Sequence, residues 1–191
     1  MRRRNIHRFA SAAAVLALSA GCMGTLQNPY VGSYQGSDPV GDTGGDDDIR
    51  GDIGPWAVYY SPNSLRFALK TQQPTDILTD PNWLNQEVLS IATWGVETTN
   101  DGNLDFIIGG FVATDGTPRV VVESEAGVTC TGQLSGVANG PIEITIDPVA
   151  CFGGAGPIRV QASLDYETPF SYTWDYAPED VWGPWIVPSV S

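Results

Sequence analysis

Asp101, Asn103 and Asp105 place three oxygen-bearing side chains at alternate positions. A calcium loop begins in this way, because a hard cation takes oxygen donors from carboxylates and amides. The pattern then departs from such a loop: the glycine is Gly102, and the twelfth position counted from Asp101 is Val112 where a bidentate Glu would stand. The same residues read more simply as a hairpin turn, with Asn100 and Asp101 forming side-chain turns and Gly102 supplying a left-handed residue. Calcium at Asp101, Asn103 and Asp105 is the metal expectation, and no other cofactor is expected.

Aromatic residues form the second constellation. Phe170, Tyr172, Trp174 and Tyr176 share parity, so on a strand all four project from one face. Trp182 and Trp185 follow, flanking Gly183-Pro184, while Trp56, Tyr59 and Tyr60 lie far upstream. Exposed rings beside carboxylates can grip a sugar, the rings stacking on its apolar faces and the carboxylates accepting its hydroxyl hydrogens. Trp174, Trp182 and Trp185 are the ligand-binding candidates. The competing reading places these rings in the core, where large aromatics usually lie, with Trp182 and Trp185 the ones expected to reach solvent.

Glu97, Asp105, Glu123, Glu125, Asp165 and Glu167 could supply a glycosidase acid and nucleophile if two of them met at the right separation. In so acidic a chain carboxylates are expected to meet without function. The only histidine is His7, near the start. If that segment is removed, Ser-His-Asp and Cys-His arrangements and histidine zinc sites are excluded. The expectation is therefore a protein that is not an enzyme.

The elements that would carry these groups begin with a basic start, Arg2, Arg3, Arg4 and Arg8, then the small and apolar run 10–18 and Ser19-Ala20-Gly21-Cys22. Such a segment reads as an export signal, too short to span a membrane as a helix. It resembles a bacterial lipoprotein signal. The resemblance implies removal of residues 1–21 and a diacylglyceryl group on Cys22, which becomes an acylated, palmitate-type anchor. At about 0.8 kcal/mol per buried methylene, two or more chains hold a protein on a membrane durably. The alternative is an ordinary secretory signal cut near Ser19 or Gly21.

Beyond residue 21, Arg50, Arg66, Lys70, Arg119 and Arg159 stand against all 22 acidic residues, a balance of −17. That charge argues against nucleic acid and against direct adsorption to anionic lipid, and it favours cations. Cys22 aside, the cysteines are Cys130 and Cys151, expected as a disulfide closing a loop of about 22 residues and contributing about 3 kcal/mol. Such a bond belongs in an oxidising compartment. Residues 22–54 are rich in Gly and Asp and poor in large aliphatics, the composition of a disordered acidic linker. Within it, Asp46, Asp47 and Asp48 lack the glycine repeats of a calcium solenoid, and Arg50-Gly51-Asp52 spells an integrin tripeptide that recurs often by chance.

Residues 55–191 are long enough for one core. Segments 65–70, 87–98, 104–113, 118–123, 142–146 and 158–162 read as strands, separated by turns such as Asn100-Asp101-Gly102-Asn103 and Asp115-Gly116. Segment 76–85 reads as a loop with at most one helical turn. The expected fold is all-β, an antiparallel β-sandwich of about seven to nine strands with one disulfide.

Arg50-Gly51-Asp52-Ile53, the run 94–98 leading into 100–106, Ile146-Asp147-Pro148 before Cys151, and the tail Asp175-Tyr176-Ala177-Pro178-Glu179-Asp180 together resemble an uncharacterised family of exported bacterial β-sandwich domains. Members look broadly like DOMON and carbohydrate-binding sandwiches. The resemblance implies export and fold more than activity. The function expected is a noncatalytic, membrane-anchored envelope or surface lipoprotein with a β-sandwich interaction module. The alternative is a carbohydrate-binding module, with or without calcium, and a carboxylate glycosidase comes third. Partners would be the membrane, through lipid, and a polysaccharide or an envelope protein.

Overall fold

Alternation of period two dictates most of the backbone. A segment such as Ile142-Glu143-Ile144-Thr145-Ile146 can bury three isoleucines on one face only by extending. The structure, a computed structural model, describes residues 28–84, 90–136, 139–179 and 181–190. Cys22 and the predicted signal, residues 1–21, lie outside them. Among the described residues no helix is long and apolar enough to cross a membrane.

In chain order the elements are β1 (Tyr30–Val31), β2 (Ser33–Ser37), β3 (Gly44–Gly45), β4 (Ile53–Ser61), β5 (Ser64–Thr71), α1 (Pro81–Leu84) and β6 (Ile91–Glu97). There follow β7 (Phe106–Val112), β8 (Pro118–Ser124), β9 (Gly127–Gly136), β10 (Ile142–Ile146), α2 (Pro148–Phe152), β11 (Arg159–Glu167), β12 (Tyr172–Ala177) and β13 (Ile186–Val187). Eleven strands form one antiparallel sheet in the order β2-β4-β5-β10-β9-β8-β7-β6-β11-β12-β3, while β1 and β13 pair in parallel.

The sheet is curled into a half-barrel. Trp94 on β6 lies 5.0 Å from Phe67 on β5 and 5.9 Å from Trp56 on β4, measured between ring centroids, although four strands separate β5 from β6 in the sheet order. The turn of the sheet passes through β9. Its residues 127–132 pair with β8 and residues 133–136 with β10. Gly132 permits this crowding, because a Cβ there would stand 2.5 Å from the Thr145 carbonyl. The core enclosed by the curl includes Phe67, Leu69, Trp94, Ile108, Ile144 and Leu164, all fully buried or nearly so. Deleting either Trp94 or Phe67 to alanine would cost about 3–5 kcal/mol.

The disulfide Cys130–Cys151 ties β9 to α2 with a Cα separation of 5.1 Å. Asp147 starts α2 by accepting hydrogen bonds from the Val149 and Ala150 N–H groups, and Gly153, at φ 78°, ends it. The predicted single helical turn in 76–85 is α1.

The fold is all-β and antiparallel, and its facing layers are two parts of one curled sheet. Of the eleven strands in the curled sheet, β4 to β12 come almost entirely from the region expected to fold, and β2 and β3 come from upstream. Here the expectation of a linker reaching Gly54 is corrected. β2 pairs with β4 over five residue pairs, β3 pairs with β12, and Asp38 and Asp52 are buried. Large aliphatic residues are scarce in 28–52 because these strands lie at the sheet edges, where backbone hydrogen bonds hold them with little apolar burial of their own.

Candidate functional site: the outer face of β6, β11 and β12

β12 alternates without exception. Tyr172, Trp174 and Tyr176 are exposed by 43, 37 and 42 %, while Thr173, Asp175 and Ala177 are buried. The predicted parity is therefore present, and the face that carries the rings points to solvent instead of the core. Phe170, in the preceding turn, is 95 % exposed.

Directly opposite residues of an antiparallel pair share a face. Tyr172 faces Glu167, Trp174 faces Asp165 and Tyr176 faces Ser163 across the β11–β12 ladder. The outer surface thus sets a row of rings beside a row of oxygen acceptors. Tyr172 and Trp174 lie 5.3 Å apart at an interplanar angle of 31°. The Tyr172 hydroxyl donates to Asp165 Oδ1. Burial raises the Asp165 pKa above the usual carboxylate range, the Tyr172 hydrogen bond opposes this, and the charge of Glu167 adds to it. Burial and the Asp165 carboxylate raise the Tyr172 phenol in turn.

Trp174 rests on the edge strand. Its partner there is Gly44, where a Cβ would fall 2.2 Å from the indole. Only a residue without a side chain lets the ring lie across β3.

Further along the same face of β11 stands Arg159, six residues from Asp165 and therefore about 20 Å away. Its guanidinium lies 5.6 Å from the Trp182 ring centre and 5.2 Å from that of Trp185, within the range of a cation–π contact. Arg159 Nε donates to Glu97 Oε2, and Glu97 is fully buried. Glu97 Oε1 accepts the Gly102 N–H at 2.8 Å, and Trp182 Nε1 donates to the Gly102 carbonyl at 3.4 Å. Trp182 and Trp185, expected to be the most exposed indoles, are half-buried instead, because they cover this ion pair.

The turn predicted to hold calcium adjoins Trp182. Asp101 Oδ1 accepts the Asn103 N–H at 2.8 Å, and Asp105 Oδ2 accepts the Thr98 N–H and hydroxyl at 2.6 and 2.8 Å. Asn100 and Gly102 take positive φ, as a turn requires. These oxygens are employed in building the hairpin. The Asn103 N–H holds the Asp101 carboxyl below its ordinary pKa.

Carboxylates of the segment expected to be a linker are also engaged. Asp46 Oδ2 accepts the Tyr172 N–H, Asp48 pairs with Arg50, and Asp52 of the integrin tripeptide is buried, out of reach of a receptor. A surface depression of about 230 Å³, bounded by Thr98, Phe152 and Ile158 among others, has no carboxylate among the described residues of its lining.

Asp38 and Asp42 belong to the segment that reads as a linker in the sequence, and Asp52 stands out there only as part of the integrin tripeptide. The pairs Asp38-Pro39 and Gly41-Asp42, acidic residues beside turn formers, were the available signal. Compared with known protein families, characterised proteins and solved structures, the chain matches none.

Proposed function

We propose that this protein is a noncatalytic interaction module of a bacterial envelope or surface, held to a membrane by acylated Cys22, and that its outer aromatic face docks polysaccharide. The observation that carries this reading is the solvent-facing row Tyr172, Trp174 and Tyr176 set against Glu167, Asp165 and Ser163 in register. Monomeric proteins seldom leave contiguous rings in water without a partner for them. Sugars supply such a partner, because their C–H faces stack on indole and phenol rings while their hydroxyls donate to neighbouring carboxylates. Trp182 and Trp185 extend the face at the Arg159 end, and calcium at the Asp101 turn is not needed for this mode of binding.

The test is retention of the purified full chain on a panel of cell-wall and plant polysaccharides, with calcium and with chelator. Binding to at least one polymer, lost on Trp174→Ala and reduced on Tyr172→Ala, supports the reading. Absence of retention on every polymer would overturn the sugar ligand and leave an envelope protein as the partner. Release of reducing ends from a retained polymer would overturn the noncatalytic assignment. Mass spectrometry of the amino terminus tests the anchor: a diacylglyceryl-modified Cys22 supports it, and an unmodified start elsewhere refutes it.

A further inference from the structure

The two edge strands of the curled sheet, β2 and β3, are neighbours in the chain, so the segment 38–43 has to run from one edge to the other. Carboxylates gather along this crossing. Asp38 follows β2, Asp42 precedes β3, Asp52 precedes β4, and Asp175 lies in β12 with its side chain turned inward. One oxygen each from Asp38, Asp42 and Asp175 lies within 4.8 Å of the other two.

Their surroundings are poor in compensation. Asp38 is 7 % exposed and Asp175 2 %. Among the described residues Asp38 Oδ2 and both oxygens of Asp42 are buried without a hydrogen-bond partner, as is Asp52 Oδ1. Asp52 Oδ2 accepts the Gly41 N–H, and Asp175 accepts from Ile53 and Tyr176, so the positions of these two are fixed by backbone. Among the described residues none of the four carboxylates makes an ion pair with arginine or lysine. Buried carboxylates left unpaired are costly, and a cation among them offsets both the desolvation and the mutual repulsion.

We infer that Asp38, Asp42 and Asp175, with Asp52 beside them, form a binding site for calcium that clasps the two edges of the curled sheet. An all-oxygen donor set selects a hard cation over zinc or copper. Calcium, with ligands at about 2.3–2.6 Å, accommodates oxygens up to about 5 Å apart across the ion, whereas magnesium at about 2.1 Å demands a tighter and more regular cage. Asp38 Oδ2 and the two Asp42 oxygens supply free lone pairs, and Asp175 retains capacity because each carboxylate has about four acceptor positions. The site is separate from the Asp101 turn and from the outer aromatic face.

The experiment is calorimetric titration of the chelator-treated full chain with calcium chloride, paired with thermal unfolding. One saturable site is expected, with Tm raised by roughly 5–10 °C at about a hundredfold excess over Kd. Asp42→Asn breaks no side-chain hydrogen bond among the described residues; it should bind calcium at least about tenfold more weakly, while its Tm in chelator equals or exceeds that of the parent. Replacing Asp101 and Asp105 together by asparagine should leave the affinity unchanged. The inference is overturned by no heat and no Tm shift up to millimolar calcium, by undiminished binding in Asp42→Asn, or by binding lost only in the Asp101 and Asp105 variant.

Discussion

Asp38, just past the strand at one edge of the sheet, and Asp175, one strand in from the other edge, hold carboxylate oxygens within 4.8 Å of each other. Closure of the curl therefore buries like charges together, and stability should depend on pH in a direction set by that burial and by the repulsion it adds. Burial first, then Asp175, Asp42, Glu179 and Asp52, raises Asp38 from 3.8 to about 7. Burial raises Asp175 to about 6 against the hydrogen bonds from the Ile53 and Tyr176 N–H groups, with Asp42 and Asp52 adding to the rise. A raised folded pKa means that the folded state holds the proton more tightly. This contribution is complete below about pH 3.8 and is lost as pH rises through about 6 and 7. In chelator, Tm should fall between pH 4 and pH 7.5, and saturating calcium should remove or reverse the fall. A chelated protein whose Tm climbs across that range would contradict the prediction.

The ion pair under Trp182 and Trp185 predicts a different response. Glu97 is fully buried and Arg159 is 23 % exposed. Arg159→Met leaves a buried carboxylate answered, among the described residues, only by the Gly102 N–H, a loss of about 3–5 kcal/mol. Combining it with Glu97→Gln removes the stranded charge and should recover a large part of that loss. Urea denaturation of the two single variants and the double variant measures the coupling; additive losses would show that the pair acts independently.

The cross-link between β9 and α2 closes a loop with a sequence separation of 21. Reduction, or Cys130→Ser with Cys151→Ser, should lower unfolding free energy by about 3 kcal/mol on the chain-entropy account. Cys151 is 3 % exposed and Cys130 half-buried, so a reductant has to attack at the Cys130 sulfur and native-state reduction should be slow. Rapid loss of the bond to mild reductant in the native state, with no change in the urea midpoint, would refute both expectations.

How much of this was legible depended on where burial writes a pattern. β5, β10 and β11 were readable because one face is apolar and the other polar, as in Leu65, Phe67 and Leu69 or Ile142, Ile144 and Ile146. The parity of Tyr172, Trp174 and Tyr176 was readable too, but periodicity says which residues share a face and not which face meets water. The buried partners Thr173 and Asp175 are polar and invert the usual rule, because Thr173 accepts from the Asp48 N–H and Asp175 from the Ile53 N–H. β2 and β3 were illegible: Ser33-Tyr34-Gln35-Gly36-Ser37 and Gly44-Gly45 have almost no hydrophobic signal and are held by their neighbours' backbones. With those strands hidden, the convergence of Asp38 and Asp42 on Asp175 was hidden as well, since only tertiary closure brings them together.

The contact between Trp174 and Gly44 yields a prediction that separates placement of the indole from its presence. A methyl at position 44 would stand 2.2 Å from the ring, so Gly44→Ala has to lift Trp174 from β3 or displace the edge strand. Position 44 lies in a two-residue edge strand remote from Phe67 and Trp94, and the global cost should stay near 1 kcal/mol. Polysaccharide retention should nevertheless fall about as far as in Trp174→Ala, because stacking depends on the orientation of the ring as well as its area. Affinity electrophoresis reads the binding, and tryptophan emission reads the displacement as a shift to longer wavelength. Full retention in Gly44→Ala together with a shifted emission would show that the ring moves freely without consequence, which would remove Trp174 from the binding face.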